Sequence, residues 1–170
     1  MISTGPAPEG TSLKSVLGAV LAEVLEEFAF FLVDPCTLAE AREAGGAFVE
    51  LHLSYQGGQS GHFALFVPRA LLPDVAANIL GCDRDDALVT EAGDDAPKEL
   101  LNIMGAHVLS RVFGDERGVT IGVPTVCADR DAPLAGLDPE GAACVKADGQ
   151  PVVLVMETPP TRVLHADVLE

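Results

Sequence analysis

Two hairpin patterns constrain the fold of this chain most strongly, because each one places a pair of strands side by side in antiparallel order. In the first, a largely alternating apolar run over residues 48–55 is followed by Gly57-Gly58, which can adopt the positive φ angles of a tight turn, and then by the apolar run 63–67. The second hairpin turns at Asp148-Gly149, and its arms are residues 143–147 and 152–156. We therefore expect a mostly antiparallel sheet.

Three other segments have apolar residues spaced three or four apart, which is the period of a helix. The first begins at Ser12 and is expected to end at Asp34-Pro35; its apolar residues are Val16, Val20, Leu21, Val24, Leu25 and Phe28. The second covers residues 71–81 and closes on a glycine, and the third begins between Asp95 and Pro97 and ends at Gly114. Helices that alternate with hairpins in this way predict an α+β fold, with helices packed on the sheet.

The remaining segments are expected to be irregular or terminal. Residues 82–94 are interpreted as an acidic loop, residues 119–126 as a strand interrupted at Gly122 and Pro124, and residues 127–141 as another loop. The Pro/Gly-rich start and Pro159-Pro160 set the expected domain limits. These are a flexible tail over residues 1–11, one domain over residues 12–158 and a C-terminal tail over residues 159–170.

Charge and composition exclude several classes of protein. Of the 170 residues, 48% are hydrophobic, so the chain can bury a core and is not disordered throughout. The net charge of −16 repels nucleic-acid phosphates and anionic membrane surfaces. We therefore expect neither nucleic acid nor a membrane as a partner.

The location of the protein is predicted from its apolar runs and its cysteines. The longest apolar stretch, residues 16–33, is interrupted by three glutamates, and the start of the chain lacks a basic segment followed by an apolar run. No two cysteines lie within four residues of each other; they are Cys36, Cys82, Cys127 and Cys144. This spacing favours reduced thiols in a cytoplasmic protein over a zinc or redox pair.

Motifs for metal, phosphate or nucleophilic chemistry are missing from the sequence. The four histidines are scattered, although His52 and His62 lie on the two arms of the first hairpin and can approach each other. Two histidines without a carboxylate or cysteine placed beside them to complete a metal site are interpreted as surface residues rather than metal ligands. The glycine pairs at 45–46 and 57–58 lack the further glycine and lysine of a phosphate-binding loop. We therefore expect no metal site.

The third helix carries the most informative surface. At 100° per residue its apolar stripe comprises Leu100, Leu101, Met104, Val108 and Val112. The opposite side comprises Asp95, Glu99, Asn102 and Ala106, with Ile103 near the edge. Glu99 and Asn102 are thus neighbours one turn apart. Taken alone, this face suits an ordinary solvated helix as well as a partner surface.

The motif DxxxExxNIMGA at residues 95–106, followed by IGVP at residues 121–124, resembles the CheC/CheX/FliY family of chemotaxis phosphatases. These proteins act on the phosphorylated response regulator CheY. Residues 66–81 are similar to the helix that precedes this motif in the family. The first helix lacks asparagine, and Asn78 has Val75 rather than glutamate three residues before it. With a single Glu-x-x-Asn pair, the chain is most similar to CheX.

The resemblance implies a role for each residue of the motif. Asn102 would orient the water that attacks a phosphoaspartate, and Glu99 would pair with the lysine of the receiver domain. Asp95 either shapes the helix start or, with Ile103 and Ala106, contacts the partner. Some family members have a polar residue where this chain has Ala106.

The resemblance also implies the partners. The substrate would be a phosphorylated CheY-like receiver, which supplies Mg²⁺, so that the chain needs no cofactor of its own. Family members pair through their sheets, which implies a homodimer. Two alternatives stay open, namely a non-catalytic binding module on the same fold and a flagellar-switch-like assembly protein.

Overall fold

The computed structural model describes residues 11–57, 60–114, 118–127 and 134–157. Almost all of the two expected tails, together with Gly58 of the first turn and Pro159-Pro160, lies outside the described residues. The expected limits of the domain at these tails therefore stay a prediction.

The strands form one antiparallel sheet, as the hairpin patterns predict. The described residues contribute seven strands to it, which are β1 (Val33–Pro35), β2 (Phe48–Gln56), β3 (Gly61–Pro68), β4 (Thr120–Ile121), β5 (Thr125–Val126), β6 (Ala142–Ala147) and β7 (Gln150–Glu157). Their order across the sheet is β1-β6-β7-β3-β2-β4, and β5 also pairs with β2. The two hairpins, β2–β3 and β6–β7, are joined in the middle of the sheet by the pairing of β3 with β7.

In the described part of the chain, five helices accompany the sheet, and the α+β prediction is confirmed. They are α1 (Leu13–Glu27), α2 (Leu38–Ala44), α3 (Leu72–Leu80), α4 (Ala87–Ala92) and α5 (Asp95–Phe113). Ser12 caps α1, because its side chain accepts a hydrogen bond from the Ser15 N–H. Gly81 ends α3 in the left-handed conformation, which a glycine adopts without a steric penalty.

The second hairpin turns as its sequence predicts. Asp148 and Gly149 have φ angles of 47° and 82°, the pair of positive values that a two-residue type I′ turn needs. The Asp148 side chain also accepts a hydrogen bond from the Leu32 N–H at 3.0 Å, which fastens β1 to the turn.

The two faces of the sheet are covered differently. On one face, α1 and α5 bury the main core, in which Leu17 and Leu101 pack with strand residues such as Leu51. On the other face, a smaller cluster packs Phe66 of β3 against Ala41 of α2. The side chains of β2 alternate between these faces, so that Glu50 and His52 point away from α5.

Three short elements, β1, α2 and α4, were not predicted from the sequence. Helix α1 ends at Glu27 rather than at Asp34-Pro35, and the latter residues belong to β1, which pairs with β6. The segment before the first hairpin contains α2, and the expected acidic loop contains α4, whose N-cap is Asp86. The described residues contain no helix with both the length and the apolar composition needed to span a lipid bilayer.

Candidate functional site

Helix α5 forms as a 19-residue element, and both of its ends carry local sequence signals. Pro97 is buried in the first turn, where its missing N–H has no helical acceptor to lose. At the other end, Gly114 has a φ of 70° and its N–H donates to the Ser110 carbonyl. The apolar stripe of the helix is buried as predicted, except that Val112 is only partly buried.

Gly105 lets α5 approach the sheet closely. A Cβ atom at this position would lie 2.6 Å from the Cδ2 atom of Leu53 and 3.5 Å from the ring of Phe63. Both of these strand residues are fully buried, so they leave no room for a larger side chain. The glycine of the sequence motif therefore sets the height of the helix above β2 and β3.

The residues predicted for the outer face of α5 are found there. Asp95, Glu99, Asn102 and Ala106 are exposed, while Ile103 is half-buried and packs against the core. Within the described part of the chain, the side chains of Glu99 and Asn102 form no hydrogen bond or ion pair. A carboxylate and an amide are therefore held on a rigid helix with their bonding capacity unused.

A groove of about 530 Å³ lies beside this face, between α3, α4 and α5. It is lined by Ile79, Leu80, Leu88, Glu91, Ala92, Asp95, Ala96 and Glu99. The side chains of Leu80 and Leu88 are about half exposed on its apolar part. Asn102 lies outside the groove, one turn further along α5. Local sequence patterns do not predict this groove, because they assign residues 87–92 to a loop rather than to α4.

The groove is strongly acidic. Glu91, Asp95 and Glu99 contribute three carboxylates to it, and the last two are one turn apart on the same helix face, where like charges repel. Among the residues that the structure describes, these carboxylates do not converge closely enough to hold a metal ion. The arrangement instead favours a cationic side chain of a partner.

Three other residues considered in the sequence analysis have structural partners. The Asn78 amide donates a hydrogen bond of 2.7 Å to the Ala29 carbonyl, which fixes α3 to the end of α1. His52 and His62 do approach each other, with ring centroids 5.8 Å apart. Each imidazole also contacts a carboxylate that the sequence analysis does not assign to it: His52 contacts Glu50, and His62 contacts Glu157.

The four cysteines are free thiols, as expected from their spacing. Cys144 is partly buried next to Cys36, and burial raises the pKa of its thiol well above the ordinary value. This thiol is therefore protonated at neutral pH and is not a nucleophile.

Comparison with known proteins places this architecture in a family. Residues 50–147, more than half of the chain, match the family model described as chemotaxis phosphatase CheX. No curated protein matches the sequence.

Solved structures of low sequence identity share the fold. A chemotaxis protein CheX from Desulfovibrio desulfuricans has a TM-score of 0.60 at 12% identity, covering 85% of this chain and 97% of that one. CheX from Vibrio vulnificus has a TM-score of 0.60 at 14% identity, with 88% and 98% covered. The CheX–CheY–BeF₃–Mg²⁺ complex from Borrelia burgdorferi has a TM-score of 0.59 at 15% identity, with 82% and 93% covered. The chain belongs to the CheX family of chemotaxis phosphatases.

Proposed function

We propose that this protein hydrolyses the phosphoaspartate of a CheY-like receiver domain at the exposed face of α5. The observation that carries the proposal is the pair Glu99 and Asn102, neighbours on a rigid helix with unused polar groups, in a chain of a phosphatase family. The neighbour from Borrelia burgdorferi is a complex of CheX with CheY, which supports a receiver as the partner.

The chemistry requires little from the phosphatase itself. A phosphoaspartate is an acyl phosphate, and water attacks its phosphorus in line while the bond to the aspartate oxygen breaks, giving a free carboxylate and inorganic phosphate. The receiver supplies Mg²⁺ and a lysine at its own active site. The phosphatase then contributes positioning of the water and of the partner, which accounts for most of the catalysis in phosphoryl transfer.

Asn102 is assigned to position the water. Its amide can both donate and accept a hydrogen bond, so it can hold a water molecule with a lone pair directed at phosphorus. A glutamine performs the corresponding task in GTPases. Gly105, three residues after Asn102 on α5, packs closely against β2 and β3. This contact fixes the backbone that carries Asn102, so the amide is held in position when the receiver binds.

Glu99 is assigned to dock the receiver. Its carboxylate, with those of Asp95 and Glu91, gives the groove a negative potential that suits the receiver's lysine. The exposed Leu80 and Leu88 provide apolar contact area beside these charges. In the cell, this function takes place in the cytoplasm, where response regulators are phosphorylated.

The two roles predict different effects for two substitutions. Asn102→Ala should slow turnover by about 100-fold or more while leaving receiver binding nearly unchanged. Glu99→Ala should weaken binding by about 2 kcal/mol if its pair with lysine is desolvated. Decay of candidate phosphoreceivers and binding of their beryllofluoride forms, measured for each variant, test these effects.

Two control variants distinguish the effects on binding and turnover from a general loss of negative charge and from a loss of stability. Glu43→Ala removes the same charge as Glu99→Ala, but from the exposed side of α2 on the other face of the sheet, and should leave binding unchanged. Asn78→Ala should lower stability without changing turnover per folded molecule, because the Asn78 amide bonds to the Ala29 carbonyl of the same chain rather than to the receiver. Unchanged turnover in Asn102→Ala would overturn the role assigned to Asn102. Receiver binding without any turnover in the unmodified chain would instead favour a non-catalytic binding module, which the groove alone can support.

A further inference from the structure

We propose that Glu50, His52 and Cys127 form a binding site for Zn²⁺ on the sheet face opposite α5. A carboxylate oxygen, an imidazole nitrogen and a sulfur from these residues lie within 4.8 Å of one another. His52 Nε2 and Glu50 Oε1 are 2.6 Å apart. Of the residues that the structure describes, these three alone form such a group.

Strand pairing brings the three side chains together. Glu50 and His52 are two residues apart on β2, so their side chains leave the same face of the sheet. The Cys127 N–H donates a 2.8 Å hydrogen bond to the Glu50 carbonyl, directly after the pairing of Thr125 with His52. Residues that lie opposite each other in antiparallel strands share a face, so the thiol of Cys127 points to the same side as the Glu50 carboxylate.

Burial makes this group unusual for a surface cluster. The Glu50 side chain is only 4% exposed, and that of His52 is 25% exposed. Glu50 is the only polar or charged residue in the buried part of the described chain. A carboxylate taken out of water is costly unless a positive charge is close to it, and a divalent cation provides more charge than an imidazolium.

The donor set selects the metal. Nitrogen, sulfur and oxygen donors together suit Zn²⁺, whereas Mg²⁺ and Ca²⁺ prefer oxygen alone. Zinc bonds of about 2.0–2.3 Å require separations of roughly 3.3–3.8 Å between ligand atoms. The three donors reach this arrangement by small side-chain rotations that open the contact between His52 and Glu50. Three protein ligands leave a fourth position for water.

Binding must release protons. Zinc coordinates thiolate and neutral imidazole, so the Cys127 thiol proton, and any proton shared by His52 and Glu50, passes to solvent when the metal binds. The bound metal would tie β5, a strand of two residues, to the long strand β2. This site is separated from Glu99 and Asn102 by the sheet, so the inference does not depend on the proposed function.

Metal titration of the full chain tests the site. The protein is first stripped with a chelator and then titrated with Zn²⁺ in competition with a chromophoric chelator, with an expected stoichiometry of one Zn²⁺ per chain. His52→Gln and Cys127→Ser should each weaken Zn²⁺ binding by at least about 100-fold, since even residues outside the first coordination shell cost up to that much. Circular dichroism checks that each variant is folded.

Two matched variants serve as controls. Cys82→Ser removes a half-buried thiol that lies at the end of α3, and His107→Gln removes a half-buried imidazole on α5; both should bind Zn²⁺ as the unmodified chain does. Co²⁺ gives a second readout that needs no variant of His52, because a cobalt–thiolate charge-transfer band should appear with the unmodified chain and be lost in Cys127→Ser. Absence of stoichiometric binding, a band that survives Cys127→Ser, or a band lost in Cys82→Ser would overturn the assignment.

Discussion

Two helical glycines illustrate how a single residue decides the spacing of layers in this protein. Gly105 on α5 leaves no room for a methyl group, since Leu53 Cδ2 would lie only 2.6 Å away. Gly18 on α1 faces Ala143 of β6, and a Cβ there would meet the Ala143 Cβ at 3.8 Å, an ordinary van der Waals contact. The same residue type in the same secondary structure therefore has opposite packing consequences.

We predict that alanine has opposite effects on stability at these two positions. Gly18→Ala should raise the free energy of unfolding by about 0.5–1 kcal/mol, because alanine loses less backbone entropy in a helix. Gly105→Ala should lower it by about 1–2 kcal/mol, because overpacking against Leu53 exceeds the same propensity gain. Urea denaturation of both variants measures the difference, and an equal gain in both would contradict the close approach of α5.

The burial of Tyr55 leads to a prediction about how stability depends on pH. It is buried, and desolvation raises the pKa of its phenol above the ordinary value of 10.0. The folded state therefore holds the phenol proton more tightly than the unfolded state, so stability from this group is complete below about pH 10 and falls as the pH rises through the folded pKa.

A pH titration followed by the absorbance of tyrosinate tests the raised pKa of Tyr55 directly, because the chain has one tyrosine and no tryptophan. The ionisation of the phenol should occur at higher pH in the folded chain than in the chain unfolded in urea. Tyr55→Phe should remove the signal and lessen the loss of stability at alkaline pH. Identical midpoints in the folded and unfolded chains would show that Tyr55 is accessible to water.

At the level of elements, sequence patterns located those with local signals. The start of α5 near Pro97, its end at Gly114 and the turn at Asp148-Gly149 were all correctly predicted, because each depends on backbone preferences of a few neighbouring residues. Strand β1 and helix α4 were missed for the opposite reason. The first depends on pairing with β6, more than 100 residues away, and the second is a six-residue helix in a polar segment.

The candidate sites likewise have features that local sequence predicts and features that depend on tertiary structure. The exposure of Glu99 and Asn102 follows from helical periodicity, so the sequence sufficed to predict it. The acidic groove requires α3, α4 and α5 to meet, and the cluster of Glu50, His52 and Cys127 requires the pairing of β5 with β2. Strand alternation alone puts Glu50 and His52 on one face, but neither the groove nor the addition of Cys127 can be predicted from local sequence.

Helix α4 offers a prediction of its own, because it forms one wall of the groove. The Asp86 side chain accepts a 2.9 Å hydrogen bond from the Leu88 N–H and caps this short helix. Asp86→Ala should lower the free energy of unfolding by about 1 kcal/mol, and it should weaken receiver binding through loss of order in α4. Hydrogen exchange of the α4 amides and receiver binding are the measurements.

Thr37→Ala is the matched control for this change. Thr37 caps α2 through a 3.1 Å hydrogen bond from the Glu40 N–H, and α2 lies on the other sheet face. The control should lose similar stability but bind the receiver normally. Equal loss of binding in both variants would mean that the effect comes from general destabilisation rather than from the groove.

At the scale of the whole molecule, the open edge of the sheet bears on assembly. Strand β1 is an edge strand, and the neighbouring Phe30 and Leu32 are 70% and 79% exposed. Edge strands and exposed apolar side chains both favour association. We therefore propose a homodimer that forms through this edge.

Sedimentation tests the dimer. The unmodified chain should sediment as a dimer at micromolar concentrations, and Leu32→Asp should shift it to monomer while leaving its circular dichroism unchanged. Val123→Asp is the control, because Val123 is 81% exposed between β4 and β5 at the opposite edge. Only monomer in the unmodified chain at tens of micromolar would contradict the proposal.

The position of β7 has a consequence for how the protein is made. This strand is the last in the described chain, yet it lies in the middle of the sheet, where Glu157 pairs with His62 and Leu154 with Leu65. During synthesis the β2–β3 hairpin leaves the ribosome long before its neighbour exists, with the apolar β3 unpaired along one side. Closure of this distant pairing is slow compared with hairpin formation. We expect the nascent chain to remain vulnerable to aggregation until β7 emerges and fills the gap.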